Sequence, residues 1–226
     1  MCSRYSLTSP PDMVRDLFGY AADHVFPPRY NIAPTQPTAV VRVGHAGARE
    51  LALVRWGLIP GWVKDPREFT TLINARSETA LEKPSFKSAM RYRRCLVPAD
   101  AFYEWIGKPG AKRPHMFRAR TGAPLAFAGL HEHWQGADGS EMESMAILTV
   151  TANATVAPIH DRMPAIIAPA DFAAWLDVRG VTETEAFPLL KPAPADALEV
   201  VEISPKLNNP RHDTPDVQTP VRSMLL

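Results

Sequence analysis

The sequence predicts an α+β protein whose core is a curved, mostly antiparallel β-sheet of barrel-like shape, flanked by helices. Three observations support this fold class. Apolar runs of strand length recur along the chain, amphipathic segments of helical spacing lie between some of them, and 23 prolines exclude long helices. At 226 residues the chain has the length of one large domain or two small ones, and we expect one domain over residues 1–226.

The first predicted element is a helix that begins near Ser9. Serine is a favoured N-cap residue, and Pro10 and Pro11 suit the first turn of a helix. The apolar residues that follow recur at helical spacing and are Met13, Val14, Leu17, Phe18, Ala21 and Ala22.

Strand signals dominate the rest of the chain. The apolar runs 38–43 and 50–56 flank a turn-forming segment and predict a β-hairpin. Further strands are expected within 95–97, 124–130, 145–150 and 198–203. Helices are expected over 84–92, 169–176 and 183–190.

Composition narrows the class of protein. Two cysteines, Cys2 and Cys95, exclude a disulfide scaffold and a CxxC zinc site. A formal net charge of +1 means that any nucleic-acid contact must come from a local basic patch. No apolar run approaches the roughly 18 residues of a membrane span, and the N-terminus does not resemble a signal peptide. We therefore expect a cytoplasmic protein without a membrane association.

Cys2 is the most informative position. If Met1 is removed, Cys2 carries a free α-amine beside its thiol, and both groups are partly deprotonated at neutral pH. Such a 1,2-aminothiol reacts with an aldehyde: the amine forms an imine, and the thiol then closes a five-membered thiazolidine ring. The alternative is a chance cysteine at a frayed terminus.

Six motifs along the chain add to this observation. They are Met-Cys-x-Arg-Tyr at 1–5, Tyr-Asn-Ile-Ala-Pro-Thr at 30–35, Trp-Gly-Leu-Ile-Pro-x-Trp at 56–62, Asn-Ala-Arg-x-Glu-Thr at 74–79, Phe-Tyr-Glu-Trp at 102–105 and His-Asp-Arg-Met-Pro at 160–164. Their identity and order resemble the SOS-response-associated peptidase (SRAP) family over residues 1 to 164.

The resemblance implies a role for each matching position. Cys2 corresponds to the residue that links covalently to the ring-opened aldehyde of an abasic site in single-stranded DNA. Asn74 corresponds to an asparagine that positions the N-terminal amine, and Glu104 to a glutamate that shuttles protons. His160 corresponds to a histidine that contacts the abasic sugar and assists its ring opening.

The chemistry itself favours such groups. Imine formation needs proton transfer, which a carboxylate of raised pKa can supply, and a histidine is suited to moving protons near neutral pH. Structural roles remain open for each residue taken alone. Glu104 is equally consistent with an outward-facing strand residue, Asn74 with a turn residue, and His160 with part of an ion-pair corner at Asp161-Arg162.

DNA contacts are predicted from position and residue type. Arg4, Arg76 and Arg162 each lie beside a proposed site residue and are expected to hold phosphates. Trp62 and Pro34 are expected to stack on or wedge between bases. The residues Lys87, Arg91, Arg93 and Arg94 form a further basic patch, for which a solvated helix face is the simpler interpretation, and Trp56 is expected in the core.

Two positions depart from the usual family pattern, and one motif invites a metal interpretation. Ser3 replaces a glycine, and Val63 replaces the second aromatic residue found in some members. The segment 131–133, His-Glu-His, places two histidines on one side of a strand, but no third ligand is identifiable. We expect neither a metal nor another cofactor.

The leading hypothesis is an abasic-site sensor that shields single-stranded DNA through a reversible thiazolidine crosslink. Weak lyase activity and self-removal of Met1 are expected to accompany it, and one strand for each site needs no more than a monomer. Two alternatives remain. A cysteine peptidase would use Cys2 and His160 without needing a free amine, and a non-covalent single-stranded DNA or modified-base binding module would need neither group.

Overall fold

The computed structural model describes residues 2–22, 24–108 and 110–221, so the predicted removal of Met1 lies outside the described residues. Its strands are β1 (Tyr5–Leu7), β2 (Arg29–Ile32), β3 (Pro37–Val43), β4 (Arg49–Trp56), β5 (Asn74–Arg76), β6 (Arg94–Ala99), β7 (Ala101–Ile106), β8 (Arg113–Ala119), β9 (Leu125–Gln135), β10 (Glu141–Thr151), β11 (Arg162–Pro164) and β12 (Leu198–Glu202). Its α-helices are α1 (Pro11–Phe18), α2 (Ser77–Ala80), α3 (Pro84–Tyr92), α4 (Phe172–Leu176) and α5 (Glu183–Ala186). Short 3-10 helices cover Pro169–Asp171, Phe187–Leu189, Ala195–Ala197, Pro205–Asn208 and Pro215–Gln218.

Five strands close into a barrel. β10 pairs with β4, β4 with β3, β3 with β6, β6 with β9, and β9 returns to β10. All of these pairings are antiparallel except that of β10 with β4. The two short strands β5 and β11 extend the sheet beside β10. The expected α+β class with a curved, mostly antiparallel, barrel-like core is thus confirmed.

The barrel interior is tightly filled. A methyl group added to Gly129 on β9 would lie 2.8 Å from Cys95 Sγ and 2.9 Å from a Val97 methyl carbon, both on the neighbouring strand β6. Real side chains do not pack at such distances. Glycine is therefore required at this position, and Cys95 serves as a buried packing residue.

A second, five-stranded sheet packs against the barrel in the order β12-β8-β7-β1-β2. Its aromatic residues form the junction: the Tyr5 ring lies 5.1 Å from Trp56 and 5.9 Å from Phe127, and the Phe102 ring lies 6.1 Å from Phe127. Edge-to-face contacts of this kind add about 0.5–1.5 kcal/mol each to the burial of apolar area. The packing fixes β1 and β7 against the barrel, and Trp56 is in the core as predicted.

Several predicted elements agree with the structure. The hairpin of β3 and β4, the strands β6, β9, β10 and β12, and the helix α3 all lie where the sequence indicates. The predicted helix over 169–176 consists of a 3-10 turn followed by α4, and the one over 183–190 consists of α5 followed by a 3-10 turn.

The first helix differs from the prediction at both ends. Its N-cap position is Pro10, and Ser9 instead donates its hydroxyl hydrogen to the Asp100 carboxylate. It ends at Phe18 because Gly19 adopts a left-handed conformation, with φ of 70°, and closes the last turn. Ala21 and Ala22 are exposed and lie outside the helix.

The basic patch near α3 is not a single solvated face. Arg94 is buried and donates to the backbone carbonyls of Trp175, Asp177, Val181 and Met90. Those carbonyls satisfy the guanidinium within the core, so Arg94 ties α3 and β6 to the segment around α4. Arg91 stays exposed and Arg93 is half-buried. None of the helices in the described part of the chain is long and apolar enough to cross a membrane.

Candidate functional site

Cys2 lies at the junction of the two sheets, just before β1. The backbone N–H of Tyr103 on β7 donates to the Arg4 carbonyl at 3.1 Å, which holds the N-terminal segment beside β7. The Cys2 side chain has no exposed surface, and its Sγ lies 3.6 Å from the Arg4 carbonyl oxygen. Burial, together with the nearby Glu104 carboxylate, raises the pKa of the Cys2 thiol far above its ordinary value. In this structure the sulfur is therefore a neutral thiol.

Glu104 on β7 points into the same junction. Side chains two residues apart on a strand share a face, so Glu104 lies on the face of Phe102, which packs on the barrel. Only 3% of Glu104 is exposed. Burial raises the pKa of its carboxyl to about 7, so that it changes charge near neutral pH. The alternative of an outward-facing strand residue does not agree with this burial.

Asn74 is brought to Cys2 by a strand that the sequence did not predict. β5 pairs in parallel with β10, with Asn74 opposite Ile147. The Asn74 side-chain amide donates from Nδ2 to the Cys2 carbonyl oxygen at 2.7 Å. Among the described residues its Oδ1 is buried and accepts no hydrogen bond. The site therefore offers a buried acceptor next to the Cys2 backbone.

His160 reaches Glu104 from the other side of β10. Its Nε2 lies 4.0 Å from Glu104 Oε2, and its Nδ1 lies 2.9 Å from the Arg162 backbone nitrogen and 3.0 Å from Asp161 Oδ1. In the neutral ring Nδ1 accepts the Arg162 N–H, so the hydrogen is on Nε2, the nitrogen nearer Glu104. Burial lowers the pKa of His160 and favours this neutral form.

These four residues, which are far apart in the chain, thus meet at one place. Asn74 donates a hydrogen bond to the Cys2 carbonyl, and the nearby Glu104 carboxylate helps to raise the pKa of the Cys2 thiol. His160 lies 4.0 Å from Glu104. The arrangement combines a nucleophile, a carboxyl titrating near pH 7 and a neutral imidazole. Within residues 2–22, 24–108 and 110–221, no group of three His, Cys, Asp or Glu side chains is placed to hold a metal ion.

Arg162 has a place that the sequence did not indicate. The residue is 8% exposed, and its guanidinium donates to both carboxylate oxygens of Glu78, at 2.5 and 2.8 Å, and to the Thr149 carbonyl at 2.5 Å. To contact a phosphate it would have to exchange Glu78 for that phosphate. The pair connects α2, which follows Asn74, with β11, which follows His160. Glu78 belongs to the 74–79 motif, but nothing in the sequence indicates that Arg162 is its partner.

We expect Glu78→Gln to lower the free energy of unfolding at pH 7 by about 1–2 kcal/mol, since it weakens a bidentate pair to a buried guanidinium. The Arg162 contact lowers the pKa of Glu78 below its ordinary 4.5. Its contribution is therefore complete above pH 4.5 and is lost as the pH falls through the lowered value. Urea denaturation of both proteins should show a difference at pH 7 that shrinks in acid.

Glu199→Gln is the matched control, because Glu199 pairs with Arg118 where both side chains are substantially exposed. We expect a change below about 0.5 kcal/mol there. Equal effects of the two substitutions would show that burial of Arg162 does not matter.

The other predicted DNA contacts are placed differently from one another. Trp62 is 60% exposed, with its ring edge-to-face on Phe69 at 5.6 Å, and Arg76 is exposed at the end of β5. Pro34 is half-buried and precedes Thr35, which has a φ of 73°. A left-handed conformation is rare for a β-branched residue and is typical of functional loops.

Arg4 is held by protein groups. Its guanidinium donates to Asn31 Oδ1 at 2.9 Å and to the Leu207 carbonyl at 3.1 Å, and it lies 6.0 Å from the Trp105 ring centroid. These contacts join the N-terminal segment to the C-terminal 3-10 helix Pro205–Asn208. Val63 is buried beside Ile59 and Trp134, so the Val63 departure fills a small apolar cluster.

Comparison with known proteins gives a consistent result. The sequence model of the family described as SOS response associated peptidase (SRAP) matches residues 1–210. The chain is 34% identical over 221 residues to the abasic site processing protein YoqW of Bacillus subtilis (strain 168), covering 96% of this chain and 98% of that protein. It is 30% identical over 262 residues to the abasic site processing protein HMCES of Xenopus tropicalis, covering 96% of this chain and 77% of that protein.

Solved structures share the fold. A protein from Bacteroides thetaiotaomicron superposes with a TM-score of 0.86 at 25% identity, covering 97% of this chain and all of that one. A protein from Bordetella bronchiseptica superposes with a TM-score of 0.78 at 29% identity, covering 90% of this chain and all of the other.

Proposed function

This chain belongs to the SOS response associated peptidase (SRAP) family, and from that premise we propose that it processes abasic sites by becoming covalently linked to them through Cys2. The substrate is single-stranded DNA that contains an abasic site in its ring-opened aldehyde form. The covalent link shields the strand from cleavage until it is reversed. One observation carries the proposal: the buried Cys2 meets Asn74 and the titrating Glu104 at a single site.

The proposed reaction requires no oxidant or cofactor. While Met1 is attached, the Cys2 nitrogen is an amide, so Met1 must first be removed. The free amine then adds to the aldehyde carbon, and the resulting carbinolamine loses water to give an imine. The thiol adds to the imine carbon and its proton passes to the nitrogen, which closes the thiazolidine ring.

The order of the steps follows from the state of the thiol. Thiolates are the reactive form of cysteine, and burial keeps Cys2 protonated. An attack by sulfur first is therefore disfavoured, whereas an uncharged amine can form the imine. The imine then presents an electrophilic carbon next to the sulfur, so that ring closure is intramolecular and needs no free thiolate in solution.

We propose that Glu104 moves the protons of this sequence. A carboxyl with a pKa of about 7 is well matched to donate a proton to the departing water and to take one from the amine. The same group would protonate the ring nitrogen or sulfur in the reverse direction. The link is therefore reversible, and an imine that lingers would acidify the adjacent carbon and permit weak lyase activity.

His160 and Asn74 have supporting roles in this proposal. The Nε2–H of His160 faces the space beside Glu104, where it can donate to the sugar oxygen and favour the open aldehyde. Asn74 holds the Cys2 carbonyl through Nδ2 and leaves its buried Oδ1 without a donor among the described residues. A free α-amine on Cys2 would supply that donor, so Asn74 would orient the amine towards the aldehyde.

We propose that the exposed residues Trp62 and Arg76, with Pro34, contact the strand on either side of the lesion. Trp62 offers a stacking surface that tolerates any base, and Arg76 lies two residues from Asn74 and can bind a phosphate. Arg4 and Arg162 reach DNA only if they exchange the protein partners described above.

The peptidase alternative receives less support from the site. A cysteine nucleophile needs a lowered thiol pKa, which an adjacent histidine usually supplies, whereas burial raises the pKa of Cys2. Removal of Met1 by the protein itself is compatible with the proposal as a single event. A purely non-covalent binding module would give no purpose to the convergence of Cys2, Asn74 and Glu104.

A denaturing gel tests the proposal directly. Purified protein, confirmed by mass spectrometry to begin at Cys2, is mixed with a single-stranded oligonucleotide carrying one abasic site. We expect a shifted band that survives denaturation and is absent with the same oligonucleotide lacking the lesion. No band from protein of confirmed N-terminus would refute the covalent function and leave proteolysis and non-covalent binding to be tested.

A further inference from the structure

A cleft of about 1280 Å³ opens far from the Cys2 site, at the free end of the β3–β4 hairpin. Its walls come from this hairpin, from the end of α3 and from the loop after α4. In the β3–β4 hairpin, Arg42 lies opposite Glu50 in this wall, and Pro37 lies opposite Arg55 at the other end of β3. That other end adjoins Trp56, whose ring packs on Tyr5 near the Cys2 site, and it is five residues along β3 from Arg42. At about 3.3 Å per strand residue this amounts to about 17 Å. The cleft is therefore separate from the candidate active site.

The acidic groups of the cleft are largely engaged by the protein. Glu50 and Glu143 both bind the Arg42 guanidinium, at 2.8 and 2.6 Å. Asp177 accepts the backbone N–H groups of Arg179 and Gly180. Arg42 thus offsets one of the two glutamate charges, and the backbone donors hold the Asp177 carboxylate in place.

The basic groups are largely available. Arg49, Arg91 and Arg179 line the cleft from β4, α3 and the loop after α4, and in the described ranges none of them forms an ion pair with a carboxylate. Arg91 and Arg179 are exposed, whereas Arg49 donates to the Phe18 carbonyl at 2.9 Å. These three guanidinium groups come from three elements around one opening, whose lining also holds the carboxylates of Asp177 and Glu183. The lining holds five arginines and four carboxylates, and Arg93 binds Glu132 outside it, so the positive charge is local to the arginines that lack a carboxylate partner among the described residues.

An aromatic ring lies among these arginines. Tyr92 lines the cleft and is 52% exposed, which is unusual for a large aromatic side chain. The Arg91 guanidinium lies 4.9 Å from its ring centroid. An exposed aromatic ring with a stacked arginine is the combination that single-strand-binding proteins use to hold a base beside its phosphate.

We propose that this cleft is a second binding site for single-stranded nucleic acid. Arg49, Arg91 and Arg179 hold successive phosphates and Tyr92 stacks on a base. The bound segment is undamaged strand away from the lesion, because no cysteine or lysine is among the described residues that line the cleft. Three cations on separate elements fit an extended chain of phosphates better than a single compact anion. The site would add affinity without sequence preference.

Fluorescence anisotropy with a lesion-free oligonucleotide of about 20 nucleotides tests this inference. The variant Arg91→Ala/Arg179→Ala should bind about tenfold more weakly near 0.1 M salt. The slope of log Kd against log salt should fall by about 1.4, since each lost single-strand phosphate contact removes about 0.7. Tyr92→Ala should weaken binding with little change of slope. These substitutions are on the surface, and circular dichroism would verify the fold.

Arg120→Ala is the control, because Arg120 is an exposed arginine outside the cleft. We expect this variant to change the affinity only by the small effect of removing one exposed positive charge. Modification by phenylglyoxal, read by mass spectrometry, should be slowed by the oligonucleotide at Arg91 and Arg179 and not at Arg120. Unchanged binding by the double variant, or equal protection by thymidine monophosphate, would overturn the proposal. Because the DNA carries no lesion, neither result depends on covalent chemistry at Cys2.

Discussion

Cys2→Ser eliminates the stable adduct with abasic DNA, which is the largest effect that we expect from any single substitution. The serine variant keeps the α-amine and can still form the imine. Its hydroxyl would close an oxazolidine instead of a thiazolidine, and that ring opens again readily. On a denaturing gel the band should be absent, whereas borohydride, which reduces an imine to a stable amine, should restore a band.

Cys95→Ala is the matched control for loss of a thiol. Cys95 is buried on β6 against Gly129 and lies outside the site. This variant should keep the adduct, with only a modest loss of stability from the small cavity. An undiminished stable adduct in Cys2→Ser would contradict the thiazolidine mechanism. Loss of the borohydride-trapped band as well would show that serine disturbs the amine.

Glu104→Gln slows both formation and reversal of the adduct by about 100-fold, the usual lower range for loss of a positioned acid–base group. The amide has nearly the shape of the carboxyl but cannot carry a proton between the amine, the water and the ring. Wild-type Glu104 is mostly protonated below pH 7 and mostly ionised above it. If Glu104 acts as the acid for the loss of water, the crosslinking rate of the wild type should decline as the pH rises through about 7. The rate of Glu104→Gln should not show this decline.

The raised pKa of Glu104 has a second consequence that needs no DNA. The carboxyl titrates at about 7 in the folded chain and near 4.5 when unfolded. Between these values the folded state binds the extra proton, so the stability of the wild type falls as the pH rises. Glu104→Gln should therefore be more stable than the wild type by about 3 kcal/mol at pH 8 and equal to it at pH 4.

Glu141→Gln serves as the control for the Glu104 measurements, since Glu141 is an exposed glutamate at the start of β10. It should leave the crosslinking rate and the pH dependence of stability unchanged. Equal crosslinking rates of wild type and Glu104→Gln would remove Glu104 from the mechanism. A stability difference that is constant from pH 4 to pH 8 would show that Glu104 has an ordinary pKa.

Most of the larger elements follow from local pattern. The apolar alternation of 38–43 and 50–56 predicts the β3–β4 hairpin, and the proline at position 84 marks the start of α3. These elements are five or more residues long and carry their signal within themselves. The fold class could be predicted because many such strands, interrupted by prolines, can bury their apolar faces only in a curved sheet.

The short elements could not be found in this way. β1, β5 and β11 have three residues each, too few for an alternation to be visible. Each exists because a longer strand, β7 or β10, offers it a partner that is distant in sequence. The end of α1 was also missed, because Ala21 and Ala22 continue the helical spacing beyond Gly19, which stops the helix.

The sequence alone supplies the groups on which the proposed reaction depends: a cysteine at position 2, and the asparagine, glutamate and histidine of its motifs. Which of these groups lie together, and in which protonation state, depends on the packing of the whole fold. Glu104 titrates near pH 7 because the packing of β7 on the barrel buries it, and Arg162 binds Glu78 because β5 and β11 flank the same strand. The cleft around Tyr92 likewise depends on three elements that are separate in the chain. A sequence pattern indicates the local secondary structure and the chemical type of each side chain. Burial and strand pairing in the fold determine the protonation state of that side chain and its partner.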